Sequence, residues 1–164
     1  LGEPTKLEGF TIRLPEGWSG ADSVEEGDDH IEIRERHADI WARTISVSAR
    51  RPSLTGVLGA LMDNSAEGFT TVKTQKVNLG GADWTLITRR AEMDEVRGTL
   101  YAMMITIGRT LPDGRYLSII LSGVSRGSSK NTNRDVELLK RIAASVEVTK
   151  AAPATQQSGP TTDQ

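Results

Sequence analysis

The sequence predicts a single α+β domain, an antiparallel β-sheet flanked by two main helices. Three observations predict it. A series of segments alternates apolar and polar residues, the period of two expected of a strand with one buried face. Two of the junctions between such segments carry hairpin chemistry, Gly80-Gly81 and Pro112-Asp113-Gly114. Two other stretches place their apolar residues at helical spacing.

At 164 residues the chain has room for one domain with a real core. Its 37% hydrophobic and 26% charged residues are ordinary for a globular protein, so neither disorder nor a fibrous repeat is indicated. The 20 basic and 22 acidic residues leave a net charge of −2 without a block of like charge, which argues against a nucleic-acid surface. The absence of Cys excludes disulfides, thiolate catalysis and Cys-ligated zinc. No apolar run approaches the roughly 20 residues that span a bilayer. The chain opens on Leu1 without the charged-then-apolar pattern of a signal peptide. That opening fits a mature exported protein, a trimmed chain or a start codon other than ATG.

Residues 1–8 read as an N-terminal extension and 9–149 as the domain. In 9–14 (GFTIRL) Phe10, Ile12 and Leu14 share one face of a strand, and Pro15-Glu16-Gly17 stops it ahead of Trp18. The acidic, Gly-containing stretch 19–29 reads as a loop. Segments 30–36 and 43–49 alternate again, with Ile31 and Ile33, then Ile45 and Val47, on one face. Ser53 is a good N-cap for a first helix carrying Leu54, Val57, Leu58, Leu61 and Met62. Gly56 and Gly59 weaken that helix by roughly 1 kcal/mol each, so packing has to hold it, and Gly68 can end it. A second helix starts at Thr132 or Asn133, with Asp135 favourable in its first turn and Val136, Leu139, Ile142 and Ala143 as its stripe. A short strand over 145–148 follows. Residues 150–164, rich in Ala, Pro, Thr and Gln, hold too little apolar surface to pack and read as a disordered tail.

The central meander can be set in register. A two-residue turn at Gly80-Gly81 puts Val77 opposite Trp84. For the next hairpin, a two-residue Asp-Gly loop would pair Pro112 with Arg115 and set Ile105 against Ser122. A turn with Pro112 at its second position and Gly114 in the left-handed conformation instead pairs Leu111 with Arg115. Ile105 then faces Leu121 and Ile107 faces Ile119, which gives one clean apolar face with Tyr101, Met103 and Leu117. A slip of one residue exchanges the faces, so the cleaner face selects the bulged turn. The opposite face carries Ala102, Met104, Thr106, Ser118, Ile120 and Ser122, and is expected to be wet or lightly covered.

The opening GFTIRLPEGW (9–18), the central Leu79-Gly80-Gly81 and the closing LLKRIAASVEV (138–148) occur in an order that resembles the Mog/PsbP-like fold. In bacteria that fold includes small envelope lipoproteins of the LpqN and DcrB kinds. It also includes the EagR chaperones, which hold apolar segments of type VI secretion effectors. The resemblance implies an αβα sandwich and a binding or accessory role. It carries no functional residue onto a position of this chain.

No catalytic residues are indicated. A hydrolase needs a nucleophile, a base and an orienting group, yet the only histidines are His30 and His37 and no Ser lies in a G-x-S-x-G. His30 and Glu32 share a strand face, but two ligands fall short of a zinc site. No metal and no cofactor is therefore expected. Gly80-Gly81 is a turn and not a phosphate loop. Arg50, Arg51, Arg89, Arg90 and Arg97 are diluted by Glu92, Asp94 and Glu95. The aromatic and Met side chains serve a core first, but Met also recurs at adaptable apolar binding surfaces. Trp41, Met104 and Ile120 are thus the candidate binding residues. The expected function is a non-enzymatic binding or accessory module of a bacterial envelope or secretion system. Its expected partner is a protein, an apolar peptide or a lipid, with no nucleic acid. Two alternatives stand beside it, a cytoplasmic EagR-like chaperone for apolar effector segments and an enzyme with an unrecognised site.

Overall fold

Phe10 and Ile12, two residues apart on one strand, are both fully buried, and the chain is built around them. The computed structural model describes residues 1–20, 30–35, 43–51, 68–95, 98–126 and 132–149. They form β1 (Pro4–Leu7), β2 (Phe10–Arg13), β3 (Trp18–Gly20), β4 (His30–Glu35), β5 (Thr44–Arg50), β6 (Thr70–Leu79), β7 (Ala82–Glu95), β8 (Gly98–Thr110), β9 (Tyr116–Arg126), α1 (Thr132–Ala144) and β10 (Glu147–Val148). This is the expected α+β class with antiparallel sheet. Seven strands make one sheet in the order β3-β4-β5-β9-β8-β7-β6, and three make another, β1-β2-β10. One helix lies among the described residues. The first helix expected over 54–62 and the tail expected over 150–164 fall outside them.

Two expectations are corrected. Residues 1–8 are more than an extension, because Pro4–Leu7 pairs antiparallel with β2 from Pro4 opposite Arg13 to Leu7 opposite Phe10. Leu1 and Leu7 pack against the core edge, and that burial is what the weak pattern of these residues concealed. The loop expected from residue 19 begins later, since Trp18–Gly20 pairs with β4. Pro15 and the turn at Gly17 end β2, and the chain then passes from the small sheet to the large one.

The meander has the expected register. Leu79 pairs with Ala82 and Val77 with Trp84 across Gly80-Gly81, whose φ values of 59° and 76° are those a two-residue primed turn demands. At the other hairpin the Leu111 N–H donates to the Arg115 carbonyl at 2.7 Å, and the Gly114 N–H donates to the Leu111 carbonyl at 3.0 Å. Gly114 sits at φ 84°. Ile105 consequently faces Leu121 and Ile107 faces Ile119. All four are fully buried together with Ile45, Val47 and Leu117.

Against this face lie β2 and α1. The helical stripe puts Leu139, Ile142 and Ala143 into the same cluster as Phe10, Ile12, Trp84 and Leu86. Each of the Leu, Ile and Phe side chains contributes about 1.5–3 kcal/mol by leaving water. No glycine ends α1. Ser145 ends it instead: its hydroxyl donates to the Ile142 carbonyl at 2.6 Å and accepts the Arg13 N–H at 3.0 Å. The helix end is thereby joined to β2, and Glu147 and Val148 then pair with Thr11 and Phe10.

Candidate functional site

The large sheet has a second face, turned away from this core, and its composition follows from the register. Across β4, β5, β9, β8 and β7 run rows of directly opposed residues: Glu32, Ser46, Ile120, Thr106 and Ile87 in one, Arg34, Thr44, Ser122, Met104 and Arg89 in the next. These rows mix hydroxyl side chains (Ser46, Thr106, Thr44, Ser122) with apolar ones (Ile120, Ile87, Met104) and with charged ones (Glu32, Arg34, Arg89). Met104 lies diagonally between Ile120 and Val124, the spacing at which long side chains on adjacent strands still touch. Met104 and Ile120 are each half-buried, and Val124 is 38% exposed. The structure thus brings Met104 and Ile120 together, whereas Trp41 lies outside the described residues.

The expectation that this face is wet holds only in part. Ala102 is buried, as are Leu100, Ala91 and Ile87 beside it, whereas Met104, Thr106 and Arg89 on the same strands and Ser118, Ile120 and Ser122 on β9 are half-buried. Two polar atoms on the face are buried without a hydrogen-bond partner among the described residues, Arg89 Nε and His30 Nδ1. A buried donor left without a partner costs about 1–3 kcal/mol. Arg89 stands directly opposite Met104. At the far end of the face the Tyr116 side chain covers Gly108, and the absence of a side chain there is what admits it. Burial raises the Tyr116 hydroxyl above the ordinary tyrosine value.

Charged groups are organised elsewhere, at the two ends of the core. Arg43 donates from Nε and Nη2 to the two Glu35 oxygens at 2.5 and 2.7 Å, and from Nη1 to Asp135 Oδ1 in the first turn of α1. Its guanidinium also stacks over Trp18 at 5.5 Å. Hydrogen bonding to Glu35 raises the Arg43 pKa. Burial raises that of Asp135, against the pull of Arg43. At the other end Arg115, itself buried, donates to the Glu8 carbonyl at 2.7 Å and to Asp113 Oδ2 at 2.8 Å. It ties the β1–β2 turn to the β8–β9 turn and holds the Asp113 carboxyl below its usual range. Both clusters fasten elements to one another. Sequence reasoning missed the links that join distant elements, Arg43 to Asp135 and Arg115 to Glu8, because Asp135 reads as a helix-dipole residue and nothing local points to Arg43.

His30 and Glu32 share a face as expected. Among the described residues no group of three or more His, Cys, Asp or Glu is gathered that would hold a metal ion. Arg89 and Arg90 project to opposite faces of β7, so they form no joint patch. Arg50 and Arg51 are exposed, and Arg97 is outside the described residues. No described helix is long and apolar enough to cross a membrane.

This arrangement, an antiparallel α+β fold, is the Mog-like fold. The Saccharomyces cerevisiae Ran-binding protein Mog1p is similar at 12% identity and a TM-score of 0.53, over 89% of this chain and 94% of that one. A Bacteroides thetaiotaomicron protein is similar at 16% identity and a TM-score of 0.48 over 87% of this chain, which spans 46% of its length. PA94 of Pseudomonas aeruginosa, a protein of unknown function, is similar at 12% identity and a TM-score of 0.45, over 93% of this chain and 97% of its own. No protein-family model matches the chain, and no curated protein sequence does.

Proposed function

We propose that the chain is a non-enzymatic binding module that takes an extended apolar segment of a protein partner on the second face of its large sheet. The observation that carries this reading is the trio Met104, Ile120 and Val124, three adjoining side chains left partly open on a face that also carries Ser46, Thr44, Thr106, Ser118 and Ser122. A pliable thioether between two branched aliphatic groups accepts apolar guests of different shapes without a deep pocket. The surrounding hydroxyls and Arg89 supply donors for the guest's carbonyl groups. Trp41 is the further contact inferred from the sequence. That Mog1p, on the same fold, is a Ran-binding protein supports a protein partner over a small molecule. The setting inferred from the family resemblance is an accessory component of a bacterial envelope or secretion system.

Pull-down of the partner by the full chain tests the reading. Met104→Lys places a charge at the centre of the trio, and Trp41→Ala removes the aromatic contact. Both variants should keep the circular dichroism spectrum of the parent and lose the partner. Retention of the partner by both variants would remove the proposal.

A further inference from the structure

The large sheet ends at β6, and among the described residues no strand pairs with its outer side. The opposite end of the sheet is β3, with three residues, whereas β6 has ten. An open strand edge offers a row of backbone N–H and C=O groups on which another chain can pair. Most of β6 is exposed, and Val72, at 57%, is the most open large apolar side chain described. The β-bulge between Thr71 and Lys73 leaves Val72 without a residue opposite it on β7.

The charge of this edge is one-sided. β6 contains Lys73 and Lys76 and no acid, and Arg89 and Arg90 stand opposite Thr71 and Thr70 on the neighbouring strand. Asp83 lies at the hairpin end and is hydrogen-bonded by Asn78 at 2.8 Å, and Glu92 lies beyond the paired stretch. A basic edge on a chain of net charge −2 selects an acidic partner and opposes a second copy, which would bring the same lysines together. Lys73 and Lys76 are three apart and so project to opposite faces of the sheet. A partner strand has to present carboxylates on both of its faces, three residues apart, to meet them.

We propose that β6 is the docking edge for an extended acidic polypeptide segment, which adds to the large sheet as an eighth strand with carboxylates on Lys73 and Lys76 and an apolar residue against Val72. The competing role for the same lysines and bulge is protection of the edge from pairing of any kind.

The two roles give opposite results with a synthetic strand-forming peptide that carries glutamates three residues apart among valines. Its affinity for the full chain is read by fluorescence anisotropy, its position by amide hydrogen exchange, and a lysine-for-glutamate peptide is the control. Docking predicts saturable, salt-weakened binding, new protection confined to β6, and little binding of the control. Lys73→Glu with Lys76→Glu, both on an exposed edge, should weaken the glutamate peptide about tenfold and turn the preference to the control peptide. Lys73→Gln with Lys76→Gln should give an intermediate affinity. Absence of binding, equal binding of the two peptides, or protection outside β6 would overturn the proposal and leave the lysines as edge protection.

Discussion

Arg43 is the residue on which three elements converge: Glu35 at the end of β4, Asp135 in α1 and the Trp18 ring of β3. Replacing it with Met leaves two carboxylates facing each other at a largely dry site. The expected loss is about 3 kcal/mol, the low end for a broken buried pair because Arg43 is still 21% exposed. Urea denaturation measures it. Asp135 adds a pH dependence with a defined sign. Its carboxyl is raised by burial, so the folded state holds the proton more tightly than the unfolded chain does. Its contribution to stability therefore grows as pH falls through the raised value and is lost as pH rises again. Asp113 acts in the opposite sense, since its lowered carboxyl favours folding above the unfolded value and loses that contribution in acid. In Asp135→Asn the acid-side gain should vanish while the Asp113 loss remains, as a urea titration at stepped pH would display. Leu121→Ala, at a fully buried site, should cost about 2–5 kcal/mol, and Thr106→Ala on the half-open face much less. Equal costs would contradict the assignment of faces.

At the scale of elements, the hairpins were legible because local chemistry determines them. A glycine pair between alternating segments, and Pro112-Asp113-Gly114 after Leu111, specify turn type, and turn type specifies which residues face inward. The Gly80-Gly81 turn tests this directly. A Cβ at Gly81 would meet nothing, whereas one at Gly80 would come within 3.2 Å of the Ala144 carbonyl at the end of α1. Both alanine variants bear the left-handed backbone penalty, about 1–2 kcal/mol, and Gly80→Ala should be the less stable of the two in thermal unfolding. α1 was legible for the same reason, from Asp135 and the Leu139–Ile142–Ala143 stripe. β1 and β3 were not, because PTKL and WSG each hold one large apolar residue, Leu7 and Trp18, and so show no alternation. β1 in particular owes its place to its pairing with β2.

For the whole molecule, the sequence disclosed which residues make the second face but not which of them are covered. Ala102 and Met104 are neighbours on that face with different exposure, a difference that depends on the layering of distant segments. Likewise the open edge of β6 becomes visible only when strand order is known, since an edge strand and a central strand can carry the same alternation. Deleting residues 150–164 is expected to leave the melting temperature unchanged, because that segment holds almost no apolar side chain; a drop of several degrees would mean that it docks.

The small sheet sets a condition on synthesis. Strand β2, with Phe10 and Ile12, is made early, yet the strand beside it, Glu147–Val148, is among the last of the described residues to be made. At cellular elongation rates the interval is on the order of ten seconds. Until the chain reaches Thr149, whose N–H closes on the Gly9 carbonyl at 2.9 Å, the nascent polypeptide on the ribosome carries two large apolar side chains without their final cover. The domain is therefore expected to close only once residues through Thr149 are free to pair, and a chain cut before residue 145 should bind a hydrophobic dye that the chain carried through 149 excludes.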